Sequence, residues 1–306
     1  MTTLKIKFFG NICINIPNSD SKVKLTRSSK SLLSYLLLYR NRLHNREVLA
    51  SVFWGEYNNN RARNCLNTVL WRLRCVLEPT TKGTYLRVLP TGEIGFNNES
   101  DYWLDVEAFE NQITQALKEP VHAIKFEEAS RLENVLKLYR GELLEGFYDD
   151  WVLVERDRLN GMYFSCLEYL MQFHDYHKSY ENAIQYGIQI LNKDPLREEI
   201  HRELMNLYMK NKNRIQAIRQ YECCRKLLKE ELGVEPMDET KYLYRKVVKQ
   251  ADLEFRTSYS LNQRYLSIAE LETLELLYQK TRLALNDIDL LRDKLHQAYQ
   301  LINQPQ

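Results

Sequence analysis

The sequence predicts a multidomain protein: a small α+β head of strands, three helices and a hairpin, then an all-α body of paired helices, then a helical C-terminal extension. Three observations carry this prediction. The chain opens on alternating apolar residues and passes into three segments of helical period; positions 167 to 229 repeat themselves at a spacing of 34 residues; and charge divides along the chain. Through Glu99 there are 15 Lys and Arg against 6 Asp and Glu, whereas the remainder has 28 against 35. The near-neutral total therefore conceals a basic head on an acidic body. Such a head selects a polyanion, and the acidic body limits indiscriminate coating of nucleic acid. A length of 306 residues allows two or three domains, each with its own core.

Residues 4–16, LKIKFFGNICINI, alternate well enough for one or two strands around Gly10, and residues 22–25 continue as a short edge strand. Residues 29–41 place Leu32, Leu33, Leu36 and Leu37 on one helical face. Asn45 caps a second helix whose Val48, Leu49, Val52 and Phe53 face inward, and Gly55 ends it. The third helix, residues 60–79, has two incompatible faces. Leu66, Val69, Leu70, Leu73, Val76 and Leu77 form an apolar stripe for burial. Opposite it stand Asn60, Arg61, Asn64, Asn67, Thr68, Trp71 and Arg72, with Arg63 and Arg74 on the flanks and no acidic residue among them. Guanidiniums match guanine edges and phosphates, and side-chain amides match adenine edges, so this face suits a major groove. A merely solvated face would mix both signs of charge. Residues 85–96 then read as a hairpin: YLRVLP, a turn at Thr91 and Gly92, and EIGF.

In the body, Leu170, Ala183 and Ile184 return as Leu204, Ala217 and Ile218, and Tyr208 and Tyr221 fall where a tetratricopeptide repeat carries aromatic residues. Pro195 closes the first repeat, while His174 and Gly187 occupy places that are usually aromatic. A repeat pair cannot bury its faces alone, so helices over residues 126–139 and 240–251 complete it. Beyond Arg256, residues from Leu271 to Ile302 recur at alternating three- and four-residue steps. Two arrangements stay open there: a coiled coil, or an antiparallel hairpin capped at Asn286 and Asp287 and docked on the body.

The order of strands, three helices and hairpin resembles the winged helix-turn-helix domain of the response-regulator (OmpR/PhoB) type. More closely, SSKSLLSYLLL, VLASVFWG and ARNCLNTVLWRLRCVLEP are similar to the DNA-binding domain of the Streptomyces antibiotic regulatory protein family. LYRGELLEGFYDDWVLVERDRL at residues 138–159 and LGVEP at 232–236 resemble the bacterial transcriptional activator domain that follows the winged helix in that family. The resemblance implies a winged-helix domain over residues 1–105, an activator domain of tetratricopeptide-like helices over 106–256, and a helical segment over 257–306. It further implies a bacterial transcription regulator, usually an activator, that binds repeated elements in double-stranded promoter DNA and contacts RNA polymerase holoenzyme. The helical body could supply a homodimer contact, a polymerase contact or a ligand-sensing groove. By position, the resemblance makes Asn64, Asn67, Thr68, Trp71 and Arg72 major-groove residues. It places Arg61, Arg63 and Arg74 for phosphates or bases, and Lys30, Arg46 and Arg87 for phosphates. Two residues depart from the pattern. Trp71 is bulky where a small or polar residue is expected, so its ring either meets bases or packs on the wing or the sugar backbone; Glu93 puts a negative charge on the wing turn. An adaptor whose winged helix binds protein instead of DNA is the alternative reading.

No GxxxxGK[ST] or GxGxxG occurs, and no nucleophile, base and orienting acid gather in one motif; Asp149 and Asp150 read as structural. His174 and His177 lack a third ligand at metal spacing and read as surface residues of a repeat helix, and the adjacent Cys223 and Cys224 point apart. The expectation is a protein with no enzymatic activity, no cofactor and no metal. The six cysteines lack CxxC spacing and read as reduced thiols. Residues 1–8 form no apolar export segment, and the longest uncharged apolar stretch, residues 31–39, is too short for a bilayer; a cytoplasmic location without membrane contact is expected.

Overall fold

A computed structural model describes residues 3–15, 25–78, 85–249, 276, 277 and 280. It divides into two compact units, Met1–Asn211 and Lys212–Gln306. The first runs β1 (Leu4–Lys7), β2 (Cys13–Asn15), α1 (Arg27–Leu38), α2 (Arg46–Trp54), α3 (Asn59–Leu77), β3 (Leu86–Val88), β4 (Ile94–Phe96), β5 (Tyr102–Leu104), α4 (Asp105–Ala116), α5 (Phe126–Leu136), α6 (Asp150–Tyr176), α7 (Tyr180–Lys193) and α8 (Glu198–Lys210). The second opens with α9 (Arg214–Leu232). The described chain is mostly helical, with its strands confined to the first 104 residues.

The opening run breaks at Gly10, whose φ of +81° is open chiefly to glycine. On either side of that break β1 and β2 pair antiparallel, and β5 adds in parallel to the other edge of β1. Residues 22–24 of the expected edge strand lie outside the described residues, and Leu25 is buried without strand pairing. The caps follow elementary chemistry. Thr26 Oγ1, Asn45 Oδ1 and Asn58 Oδ1 accept from backbone N–H groups in the first turns of α1, α2 and α3. In α2 only Leu49 and Ala50 are fully buried; Val48 and Val52, expected inward, are 52% and 43% exposed. The helix has nine residues and buries a narrow strip, to one side of which Val48 and Val52 fall. The β3–β4 hairpin closes through Gly92 at φ +90°, and His44 exchanges two backbone hydrogen bonds with Ile94, both 2.8 Å, tying the hairpin to the end of the α1–α2 connection.

One continuous apolar core runs from Leu4 through Phe173. Residues 138–159 form the joint within it. Leu144 N–H donates to Phe8 O at 2.9 Å, and Gly10 N–H to Glu142 O at 2.8 Å, extending the end of β1. A Cβ on Gly141 would stand 3.2 Å from the Gly10 Cα, so the two backbones meet where neither carries a side chain. Asp105, buried at the start of α4, accepts from Phe8 N–H at 2.9 Å and Phe9 N–H at 3.1 Å. Trp151 sets its ring edge-on to Tyr35 (5.2 Å) and Phe53 (6.1 Å). Arg156 donates to the carbonyls of Leu143, Leu144 and Phe147, and Arg40 reaches Glu107 at 3.1 Å and Glu110 at 3.3 Å, with Arg158 pairing Glu110 from α6. Asp149 stands at the N-cap position of α6, and Asp150 in its first turn, a structural placement for both.

Gly187 explains a departure from the repeat pattern: a Cβ there would lie 2.7 Å from Leu204 Cδ2, so α7 and α8 pack closer than an aromatic ring allows. His174 is buried rather than on the surface; its Nε2 meets Glu133 Oε1 at 3.2 Å and its ring stacks on Tyr186. The sequence pattern missed this because the stack that buries it comes from a neighbouring helix. In the second unit α9 ends at left-handed Gly233, and the Tyr221 ring stacks at 4.0 Å on Tyr244 from the helix that follows. The expected extension over residues 257–306 lies, but for residues 276, 277 and 280, outside the described residues.

Candidate nucleic-acid interface

α3 is held by its apolar side. Ala62, Leu66, Val69, Leu70, Leu73 and Leu77 are buried against the head, and α2 is its principal packing partner. Burial of that stripe forces the opposite side outward. Arg61, Arg63, Asn64, Asn67, Thr68, Trp71 and Arg72 are all exposed, and Arg74 is half-buried at the edge. Trp71 is 65% exposed, so most of its ring is open to solvent.

Neighbouring residues restrain part of this face. Arg63 pairs with Glu47 of α2 at 2.8 Å, with both side chains about half exposed. Arg46, the first residue of α2, donates from Nη1 to Asn67 Oδ1 at 3.2 Å. The Arg61 guanidinium lies 4.2 Å over the Tyr57 ring, and Thr68 Oγ1 donates to the Asn64 carbonyl. Among the described residues the side chains of Asn64, Trp71 and Arg72 have no such partner. The α3 face is thus partly pre-set and partly open.

Arg46, Asn67, Leu70, Trp71, Arg74, Cys75 and Glu78 line an open cleft of about 440 Å³ beside the hairpin turn. The Nε atoms of Arg46 and Arg74 are buried there without a hydrogen-bond partner. Both residues line the cleft, and two guanidiniums there make it favourable to an anionic oxygen. A Cβ on Gly92 would lie 3.9 Å from Arg46 Cδ, which puts this arginine between the turn and α3. Lys30, half-buried in α1, and Arg87, exposed on β3, form no hydrogen bond or ion pair with the α3 face among the described residues. Glu93 accepts from Thr91 Oγ1 at 3.0 Å within the turn.

The sequence pattern did not mark Glu47 and Tyr57 as restraints on Arg63 and Arg61, since both contacts are tertiary. Cys75 was not singled out in the sequence, although it stands one turn beyond Trp71. Among the described residues no group of His, Cys, Asp and Glu is arranged to hold a metal ion, and no helix is long and apolar enough to cross a membrane.

Residues 104–248 match the sequence profile of the bacterial transcriptional activator domain. The chain is similar to regulatory protein AfsR of Streptomyces coelicolor, 26% identical over 223 residues, which covers 73% of this chain and 22% of AfsR. It therefore spans about a fifth of that relative's length. The transcriptional regulatory protein MoaR1 of Mycobacterium tuberculosis is 28% identical over 247 residues, 75% of this chain and 74% of MoaR1. In fold the chain is similar to Mycobacterium tuberculosis EmbR, solved in complex with a low affinity phosphopeptide. The TM-score is 0.66 at 20% identity, over 81% of this chain and 65% of that one.

Proposed function

We propose that the chain, which matches the bacterial transcriptional activator domain over residues 104–248 and is similar to AfsR and MoaR1, is a regulator of the Streptomyces antibiotic regulatory protein type: a sequence-specific DNA-binding transcription activator. In this reading residues 1–105 are a winged helix-turn-helix, α3 is its recognition helix and β3–β4 its wing. Residues 106–256 are a body of tetratricopeptide-like helices, and residues 257–306 a helical extension. The protein acts in the cytoplasm, without catalysis, on repeated elements of double-stranded promoter DNA, and its acidic body meets RNA polymerase holoenzyme or a second copy of the chain.

The observation that carries the reading is the outward α3 face, exposed from Arg61 to Arg72 and bearing guanidiniums, amides and a hydroxyl without an acidic residue of its own. Asn64 and Arg72, lacking side-chain partners, suit adenine and guanine edges. Arg46 and Arg74, which line the cleft, suit phosphate oxygens, as does Arg61 at the start of the helix. Lys30 and Arg87 take phosphates at the rim. Binding to a duplex of repeated half-sites should weaken steeply with salt, and Arg72→Ala or Asn64→Ala should cost about 1–3 kcal/mol on the specific duplex while leaving random DNA nearly unchanged. Equal affinity for every duplex contradicts the proposal. So does capture of a protein partner by the head with no salt-sensitive DNA binding.

A further inference from the structure

We propose that Trp71 determines specificity by reading the C5-methyl group of a thymine in the half-site, an inference that rests on the DNA-binding reading above. Trp71 lies about two turns beyond Asn64 on the same line of α3. That line points away from Ala62, Leu66, Val69 and Leu73, which are buried. It is therefore the ridge that goes deepest when the helix enters a groove, whereas Arg63 and Arg74 on the flanks meet the walls. Asn67 and Thr68 stand one turn before the indole and Cys75 one turn after it. The ring itself is 65% exposed. Among the described residues it stacks on no other ring and sits under no cation, so its apolar surface has no use within the described fold.

An apolar ring on a polar ridge needs an apolar partner when water is expelled. Phosphate can accept only from the single indole N–H and offers nothing to the apolar face of the ring. In the major groove adenine, guanine and cytosine are distinguished by polar acceptors and donors, and the one protruding apolar group is the thymine methyl. The chemistry of the ridge is thus divided: Asn64 takes a hydrogen-bonding edge and Trp71 takes a methyl.

The test uses the full chain and a half-site recovered from a random duplex pool. Each thymine is replaced in turn by deoxyuridine, which pairs identically and lacks only the methyl. One position should weaken wild-type binding by about threefold to fivefold, the worth of one buried methyl. Trp71→Ala should lose a similar factor on the thymine duplex and become indifferent to deoxyuridine at that same position. Its urea midpoint should match wild type, because an exposed ring contributes little to the fold. If sequence-specific binding persists but no deoxyuridine position weakens it, or if Trp71→Ala stays as sensitive as wild type, the assignment of Trp71 fails alone. Equal loss by Trp71→Ala on every duplex would place the ring on the sugar backbone and also overturn it. Absence of any preferred sequence fails the DNA-binding reading itself.

Discussion

Replacing Glu47 by Gln should tighten DNA binding, an outcome opposite to that of most changes at an interface. Glu47 is the carboxylate that meets Arg63 at 2.8 Å, and both side chains are about half exposed. Breaking an exposed pair of this kind costs about 0.2–1 kcal/mol, which DNA must supply before Arg63 can take a phosphate. The same carboxylate repels any phosphate at the flank of α3, by about 0.6 kcal/mol at about 7 Å in water. Together these terms amount to about 0.8–1.6 kcal/mol, or about fourfold to fifteenfold in affinity. The Gln variant carries one more net positive charge at the flank of α3, so the slope of log K against log salt should steepen, by up to about 0.9. Fluorescence anisotropy of a labelled half-site duplex at several salt concentrations reads both quantities. Glu47 also lies in the first turn of α2, where a carboxylate stabilises the helix end by about 0.3–1 kcal/mol, so a urea melt is run beside it to separate folding from binding. Unchanged affinity with an unchanged salt slope would refute the view that Glu47 masks Arg63.

Arg156→Ala should destabilise the first unit by about 2–4 kcal/mol in urea, because the carbonyls of Leu143, Leu144 and Phe147 lose one shared guanidinium; a loss under about 0.5 kcal/mol would contradict its role in the joint. Cys75 is exposed and lines the α3 cleft, whereas burial pushes the Cys166 thiol up to about 12. A maleimide should therefore modify Cys75 and spare Cys166 in the folded protein, specific duplex should slow the Cys75 reaction, and equal rates with and without duplex would argue against DNA at this cleft. Burial, followed by the nearby Arg42, holds the His44 imidazole below its ordinary value, so folding favours its neutral form. Its contribution to stability is present above about pH 6.5 and lost as pH falls through the lowered value in the fold, so the urea midpoint should fall on acidification and do so less in His44→Gln. Parallel pH profiles for the two would remove His44 as the cause.

The division of α3 into two faces was legible because helical period alone separates Leu66, Val69 and Leu73 from Asn64, Thr68 and Arg72, and a 19-residue helix gives that period room to show. Its partners were not. Glu47 and Tyr57 reach Arg63 and Arg61 only after α2 and the turn beyond it have packed. In α2 the apolar pattern was wide enough to include Val48 and Val52, yet the neighbouring packing surface takes only a strip. β5 went unread because three residues carry too little alternation, and its parallel partner β1 lies at the far end of the head. The motif over residues 138–159 was recognisable as text before its physical work could be known. Only the fold shows Trp151 against Tyr35 of α1, Arg156 under the carbonyls of Leu143, Leu144 and Phe147, and Glu142 beside Gly10 at the end of the opening strand. His174 went wrong for the same reason, since Tyr186 and Glu133 come from other helices.

Selection of bound duplexes from a random pool, run in parallel with wild type and Arg72→Ala, bears most directly on the claim that the α3 face enters DNA. Wild type should return a repeated half-site, and the variant should return the same repeat spacing with preference lost at a single base pair. An unenriched pool, or two identical motifs, would contradict it.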